Sequence, residues 1–115
     1  MNHAQEIRKQ KRLEKLGSNN PVCTVCGETD WRCLELHHIA GKDHGEELAI
    51  VCRNCHRKLS DTQKDYPQKM RSESSVLEAL GYYFLGQSDL QELMVAKLRE
   101  GGRMLIQAAQ KREDV

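Results

Sequence analysis

The chain has 115 residues, which is the length of one domain or of one small domain with extensions. Its formal net charge is +1, and only 38% of its residues are hydrophobic, so its core is expected to be marginal and to need a staple. No run of about eighteen apolar residues is present, which excludes a membrane-spanning helix. The N-terminus is polar, so we expect no signal peptide and a reducing, cytoplasmic location.

Basic residues are concentrated on either side of an acidic middle. Residues 1–16 contain five Lys or Arg and two acidic residues. Residues 53–71 contain six Lys or Arg and two acidic residues. Residues 23–52 contain six acids and two Lys or Arg. Basic segments favour contact with a phosphate backbone, although a solvated helix surface has the same pattern.

The first predicted element is a basic helix over residues 4–16, within an N-terminal segment of residues 1–20. Ile7, Leu13 and Leu16 give this helix a sparse apolar face, so we expect that docking or a ligand orders it. The glycine- and asparagine-rich turn that follows stops the helix.

Two Cys-x-x-Cys pairs follow, Cys23 with Cys26 and Cys52 with Cys55. Each pair places two sulfurs on one turn, and four thiolates complete the tetrahedral shell that Zn²⁺ prefers. The spacing predicts a closed, structural zinc site, with a stabilisation on the order of 10 kcal/mol. Cys33 has no partner in this pattern and is expected to be a half-buried strand residue.

Between the pairs, the sequence predicts two strands, and a helix follows them. Residues 33–39 alternate in polarity, residues 40–47 form a polar loop, and residues 48–51 form a second strand, so we expect a hairpin. The helix begins at Cys52 and stops before Tyr66 and Pro67.

The C-terminal segment, residues 68–115, is expected to be a polar link followed by an amphipathic helical hairpin. A capping box at Ser75 and Glu78 begins the first helix, Gly86 ends it, and Ser88 begins the second. Most such hairpins are packing or self-association surfaces, so a homo-oligomer or protein partner is expected to bind here.

Three histidines lie beside these elements. His37 and His38 are neighbours at a strand end, so their side chains point to opposite sides of the hairpin. If the helix packs on the hairpin, His37 and His56 can share a second ion with open positions, as a catalytic site requires. His38 is then free to act on a water as general base.

The run from residue 21 to residue 67, with C-x-x-C, L-E-L-H-H-I and C-x-x-C-H-R-K-L, resembles the zinc-bracketed branch of the HNH endonucleases. Members of that family have a ββα-metal fold and hydrolyse nucleic-acid phosphodiesters. The resemblance implies a small α+β protein with a zinc-stapled ββα-metal core. It implies that His37 and His56 hold the catalytic ion, such as Mg²⁺, Mn²⁺, Ni²⁺ or Zn²⁺, and that His38 is the base.

One position departs from the family pattern. Glu47 stands where the family usually has the asparagine that precedes the second strand. An ionised carboxylate cannot donate a hydrogen bond, so Glu47 would instead orient a protonated imidazole or approach the metal.

The expected partner is nucleic acid, DNA in preference to RNA, bound through its backbone with weak sequence specificity. No aromatic residue is expected to form a stacking platform among basic residues. The basic side chains expected to contact phosphates are Arg8, Lys9, Lys11, Arg12, Arg53, Arg57 and Lys58.

Two other interpretations stay open at this stage. One is a catalytically silent zinc module that binds nucleic acid or a protein partner and holds a single ion. The other is an interaction protein whose C-terminal hairpin is the functional part and whose zinc core is a scaffold.

Overall fold

A computed structural model describes residues 2–66 and 76–113 of the chain. Over these residues it is a small α+β structure with three α-helices and one antiparallel pair of strands. The predicted polar link, Ser75 of the capping box and Pro67 lie outside the described residues. The elements in chain order are α1 (His3–Leu16), a 3-10 helix (Trp31–Cys33), β1 (Leu34–His38), β2 (Leu48–Cys52), α2 (Arg53–Gln63) and α3 (Val76–Glu113).

The predicted basic helix at the N-terminus is confirmed as α1. The Asn2 side chain accepts a hydrogen bond from the Gln5 amide at 2.9 Å, and the Gln5 side chain accepts one from the Asn2 amide at 3.0 Å. This reciprocal cap satisfies backbone donors that the first helical turn leaves unpaired. Leu16 is buried in the core, and Arg12 donates a hydrogen bond to the Leu34 carbonyl, so α1 docks on the start of β1.

The strand–strand–helix order is confirmed. β1 and β2 pair antiparallel, with His37 opposite Ala49 and His38 opposite Leu48. Cys33 is a correction, because it lies in the 3-10 helix and not in the strand. The Asp30 side chain caps that turn, and the Asp30 carbonyl accepts a hydrogen bond from the Cys33 amide at 2.9 Å, which delays the extended conformation by one residue.

The core joins the sheet to all three helices. Leu34 and Val51 of the sheet are 0% exposed and Leu59 of α2 is 1% exposed. Leu16 of α1 and Leu90 of α3 belong to the same buried cluster. Burying one such side chain fully contributes about 1.5–3 kcal/mol. α3 is therefore part of the same core as the elements around the cysteines.

The predicted C-terminal helical hairpin is wrong, because α3 is one continuous helix of 38 residues. Gly86, expected to end a helix, lies inside it where α3 crosses the end of β1. A Cβ built on Gly86 would lie 1.6 Å from the Ile39 carbonyl oxygen, so only glycine permits this backbone approach. Ser88 continues the same helix and does not begin a new one.

No helix in the described part of the chain is both long enough and apolar enough to cross a bilayer.

Candidate metal centre

The four paired cysteines form one cluster. The sulfur atoms of Cys23, Cys26, Cys52 and Cys55 all lie within 4.8 Å of one another. Four sulfurs around a Zn²⁺ ion at about 2.3 Å are about 3.8 Å apart in a regular tetrahedron. The separation of the Cys26 and Cys52 sulfurs is 3.7 Å. The cluster therefore fits a structural zinc ion, as the spacing predicted.

The first cysteine pair is held by a tight turn. The Gly27 amide donates a hydrogen bond to the Cys23 carbonyl at 3.0 Å, and Gly27 has a φ of 81°, which suits glycine. Thr24 donates to the Ile50 carbonyl twice, through its amide and its hydroxyl, at 2.9 Å in each case. These bonds attach the turn to β2, two residues before the second pair begins.

The second cysteine pair is placed by the start of α2. Cys52 is the N-cap residue, and its sulfur accepts a hydrogen bond from the Cys55 amide at 3.5 Å. A sulfur at this position takes the role that an oxygen has at most helix N-caps. The helix start therefore sets the distance between the two sulfurs.

The thiols have different acidities. Burial acts to raise the pKa of Cys23, but hydrogen bonds from the backbone at Cys26, Cys52 and Val25 lower it to about 7. Burial and the neighbouring thiols raise the pKa of Cys26 and of Cys55. One thiolate is therefore favoured in the metal-free cluster, and a bound cation would favour ionisation of the others. The affinity of such a site for zinc falls as the pH falls.

A pair of histidines lies where α2 packs on β1. The ring centroids of His37 and His56 are 5.3 Å apart, with an angle of 70° between the planes. His37 is only 2% exposed. Its pKa is lowered to about 4, first by burial and then by the charges of His56 and His38. At neutral pH His37 is therefore an uncharged imidazole.

Glu35 and Gln63 hold this pair and were not predicted. The Glu35 carboxylate lies 3.0 Å from Nδ1 of His56. The Gln63 side chain donates to the Ile39 carbonyl at 2.9 Å and lies 3.4 Å from Nε2 of His37. The sequence could have indicated both residues, because Glu35 shares a strand face with His37 and Gln63 is two helical turns after His56.

The other two predicted catalytic residues lie outside this pair. His38 is half-buried on the opposite face of β1, and its charge lowers the pKa of His37. Glu47 is exposed, and its carboxylate folds over Gly45, where an added Cβ would meet it at 2.6 Å. The Glu47 carboxylate has no hydrogen bond or ion pair within residues 2–66 and 76–113. The structure thus brings together His37 and His56 and leaves Glu47 apart.

The cysteine cluster is the only group of three or more metal-ligating side chains within the described residues. His37 and His56 contribute two imidazoles, so any ion between them would take its other ligands from water or substrate.

The predicted phosphate-binding residues do not all lie on one surface. Arg57 and Lys58 are exposed on α2, and Lys11 is exposed on α1. Lys9 is half-buried beside Trp31. Arg8, Arg12 and Arg53 line one groove together with Arg32 and Trp31. Trp31 therefore lies among basic residues in this groove, a placement that the sequence pattern did not indicate.

Comparison of the chain with protein-family models, with curated proteins and with solved structures found no match.

Proposed function

We propose that this protein is an HNH-type, metal-dependent nuclease built on a structural zinc site. The observation that carries the proposal is the contact between His37 and His56, with the Glu35 carboxylate on Nδ1 of His56. Histidines that bind metals usually donate their second ring nitrogen to a carboxylate or a carbonyl. This arrangement leaves Nε2 of His56 available beside a neutral imidazole.

The fold around the pair supports the same proposal. The hairpin is followed directly by α2, and the cysteines of the cluster flank the hairpin. His37 comes from β1 and His56 from the first turn of α2, so packing of the helix on the hairpin joins two residues far apart in the chain.

Each residue has a role in the proposed hydrolysis. His37 and His56 would hold a divalent ion, which when bound would stabilise the charge that develops on the scissile phosphate. His38, next to His37 at the end of β1, accepts a proton from the water that attacks phosphorus. The bond from phosphorus to the leaving ester oxygen breaks, and that oxygen takes a proton from solvent. Glu35 orients His56 and keeps its Nδ1 hydrogen-bonded.

A silent zinc module that binds nucleic acid is the second candidate. Two observations favour it: only the cysteines form a group of three or more ligands within the described residues, and the Glu47 carboxylate lies over Gly45 without a hydrogen bond to His37 or His56. Metal analysis after zinc loading separates the two functions. The nuclease holds a second ion that is lost in His56→Ala, whereas the silent module holds one ion in both proteins.

Plasmid nicking tests the activity. Supercoiled DNA is incubated with the zinc-loaded chain and added Mg²⁺, Mn²⁺ or Ni²⁺, and the nicking rate is compared with those of His38→Ala and His56→Ala. A general base typically contributes about 100-fold or more, so His38→Ala should be nearly inactive. His56→Ala should be nearly inactive as well, because it removes a proposed ligand of the ion. His3→Ala is the matched control, because His3 is exposed at the start of α1. Equal nicking by all four proteins would assign the activity to a contaminant.

A further inference from the structure

A groove of about 760 Å³ lies beside the histidine pair, between α1, the 3-10 helix and the start of α2. Four arginines line it: Arg8, Arg12, Arg32 and Arg53. Trp31, the only tryptophan of the chain, lies in the same lining.

The charges in this groove favour an anion. The side chains of Arg8 and Arg53 are exposed and make no hydrogen bond or ion pair with any of the described residues. The two carboxylates in the lining are already paired. Asp30 binds Arg32 at 2.7 Å, and Glu35 binds His56 at 3.0 Å.

The groove continues toward the histidine pair. Glu35 and Arg53 line both this groove and the neighbouring depression that contains His56 and Arg57. A strand lying in the groove would therefore pass from α1 to the site of the proposed chemistry.

We propose that the groove binds a single nucleic-acid strand, with phosphates on Arg8 and Arg53 and an unpaired base stacked on Trp31. Guanidinium groups bind phosphates in two-point contacts, and aromatic side chains stack on bases without regard to sequence. Inside a duplex both faces of a base are covered by its stacked neighbours, so the base on Trp31 must be unpaired and unstacked. This inference rests on the proposed nucleic-acid substrate and specifies its form.

The fluorescence of Trp31 reports on this site directly. The zinc-loaded chain is titrated with oligothymidylate of about ten nucleotides, a length within the usual range for single-strand sites. No other divalent ion is added, so that binding is measured apart from cutting. We expect saturable quenching that weakens as salt rises. The RNA counterpart, oligouridylate, then shows whether the groove discriminates between sugars.

Substitutions locate the strand. Arg8→Gln should weaken binding severalfold and reduce its salt dependence, because each phosphate contact releases about one counterion. Lys15→Gln removes the same charge from the same helix outside the groove, and should bind like the parent chain. With a labelled oligonucleotide, Trp31→Ala should weaken binding by about fivefold or more, and Trp31→Phe should retain most of it.

Three results would overturn the inference: no quenching, equal weakening by Arg8→Gln and Lys15→Gln, or a duplex that quenches as strongly as the single strand. The nicking assay is a separate test. A chain that binds the oligonucleotide and cuts nothing keeps the groove and loses the nuclease, and a chain that nicks DNA without quenching does the reverse.

A different observation, on α3, carries a second inference. At 100° per residue, one face of this helix is an apolar stripe on a different side from Gly86 and Leu90, which face the core. The stripe residues are between 46% and 81% exposed: Leu77, Leu80, Phe84, Val95, Leu98, Leu105 and Ile106.

The charges of α3 are divided between its halves. Residues 76–94 contain three acidic and no basic residues, and residues 95–113 contain five basic and two acidic residues. An antiparallel second copy would place each half against the oppositely charged half, whereas a parallel copy would place like charges together. With the helix centres aligned, Phe84 of one copy lies opposite Leu105 of the other.

We infer that α3 pairs along this stripe with a second copy of the same chain, in antiparallel orientation. Analytical ultracentrifugation over a range of concentrations tests it. Leu98→Glu should raise the dissociation constant by about tenfold or more, as expected for a buried central contact. Met104→Glu is the control, because Met104 is 62% exposed on the same helix but away from the stripe.

Orientation is tested by exchanging charges. Glu92 and Arg99 lie on the same flank of the stripe and approach each other only in an antiparallel pair. Glu92→Arg should weaken the dimer, and adding Arg99→Glu should restore it. A parent chain that stays monomeric at all concentrations, or a double variant that is weaker than the single one, would overturn the inference.

Discussion

At the residue scale, the cysteines differ in what they do. Cys52 contributes a sulfur to the cluster and also caps α2, whereas Cys33 lies outside the cluster and is only half-buried. Cys33 directly precedes β1, and Cys52 ends β2. A serine at each position therefore compares a cysteine of the cluster with one outside it.

We expect Cys52→Ser to lose the zinc and to unfold, because the ion contributes on the order of 10 kcal/mol, which is comparable to the whole stability of a small domain. Cys33→Ser should keep one zinc per chain and a melting temperature near that of the parent. Metal analysis and circular dichroism measure both. A Cys52→Ser chain that stays folded without zinc would contradict the structural role of the cluster.

Protonation of His37 makes the free energy of unfolding depend on pH. Its pKa of about 4 in the folded chain lies below the ordinary value of 6.5, so the unfolded chain binds more protons between these values. Stability is therefore lost as the pH falls below 6.5, by about 2 kcal/mol at pH 5 for this group alone.

The measurement compares urea unfolding of the parent and of His37→Gln at pH 7.5 and pH 5. Contributions from the cysteines are common to both proteins and cancel in the difference. The parent should lose about 2 kcal/mol more than the variant. Parallel losses in the two proteins would mean that His37 titrates normally.

At the element scale, α3 depends on a glycine that a sequence pattern marks as a break. Gly86→Ala adds a Cβ against the Ile39 carbonyl, so α3 or β1 must move, and we expect a loss of more than about 1 kcal/mol despite the better helix propensity of alanine. Gly81→Ala is the control, since nothing lies within 4 Å of a Cβ there.

The two substitutions should have opposite signs in thermal unfolding. Gly81→Ala should stabilise the chain by about 0.5–1 kcal/mol, because alanine has less freedom to lose in the helix. If Gly86→Ala also stabilised the chain, the close crossing of α3 over the end of β1 would be wrong.

At the scale of the whole molecule, the first part of α3 belongs to the core and its last part extends from it. Leu90 is 4% exposed, and Asp89 accepts a hydrogen bond from the Tyr66 hydroxyl at 2.6 Å. Residues 95–112 are all exposed except Gly101, which is half-buried.

Truncation should separate these two parts of the helix. A chain that ends after Met94 keeps these contacts, and we expect it to unfold close to the parent at concentrations where both are monomeric. A chain that ends after Tyr66 loses the burial of Leu90, worth about 2 kcal/mol, and the bond to Asp89. Equal stability of the two truncated chains would show that α3 does not contribute to the core.

Much of the core around the cysteine cluster could be predicted from the sequence, because its signals are local. Each Cys-x-x-Cys pair sets its own sulfur spacing, residues 34–38 and 48–52 carry strand patterns, and the cap of α2 is one of the zinc cysteines. The position of His56 beside His37 followed once the helix was assumed to pack on the hairpin. The alternation of faces along β1 could also have indicated the role of Glu35, which shares a face with His37.

What only the tertiary structure decided depends on contacts between distant parts of the chain. The local cost of glycine in a helix is about 1 kcal/mol, and packing of α3 against Ile39 outweighs it, so the break predicted at Gly86 does not occur. Trp31 and the arginines of α1 and α2 meet in one groove because α1 docks on β1. The sequence by itself determined the cysteine cluster and the strand–strand–helix order beside it, since these depend on near neighbours. The tertiary structure decided which charged and aromatic residues share a surface, since residues distant in the chain meet only in the folded core.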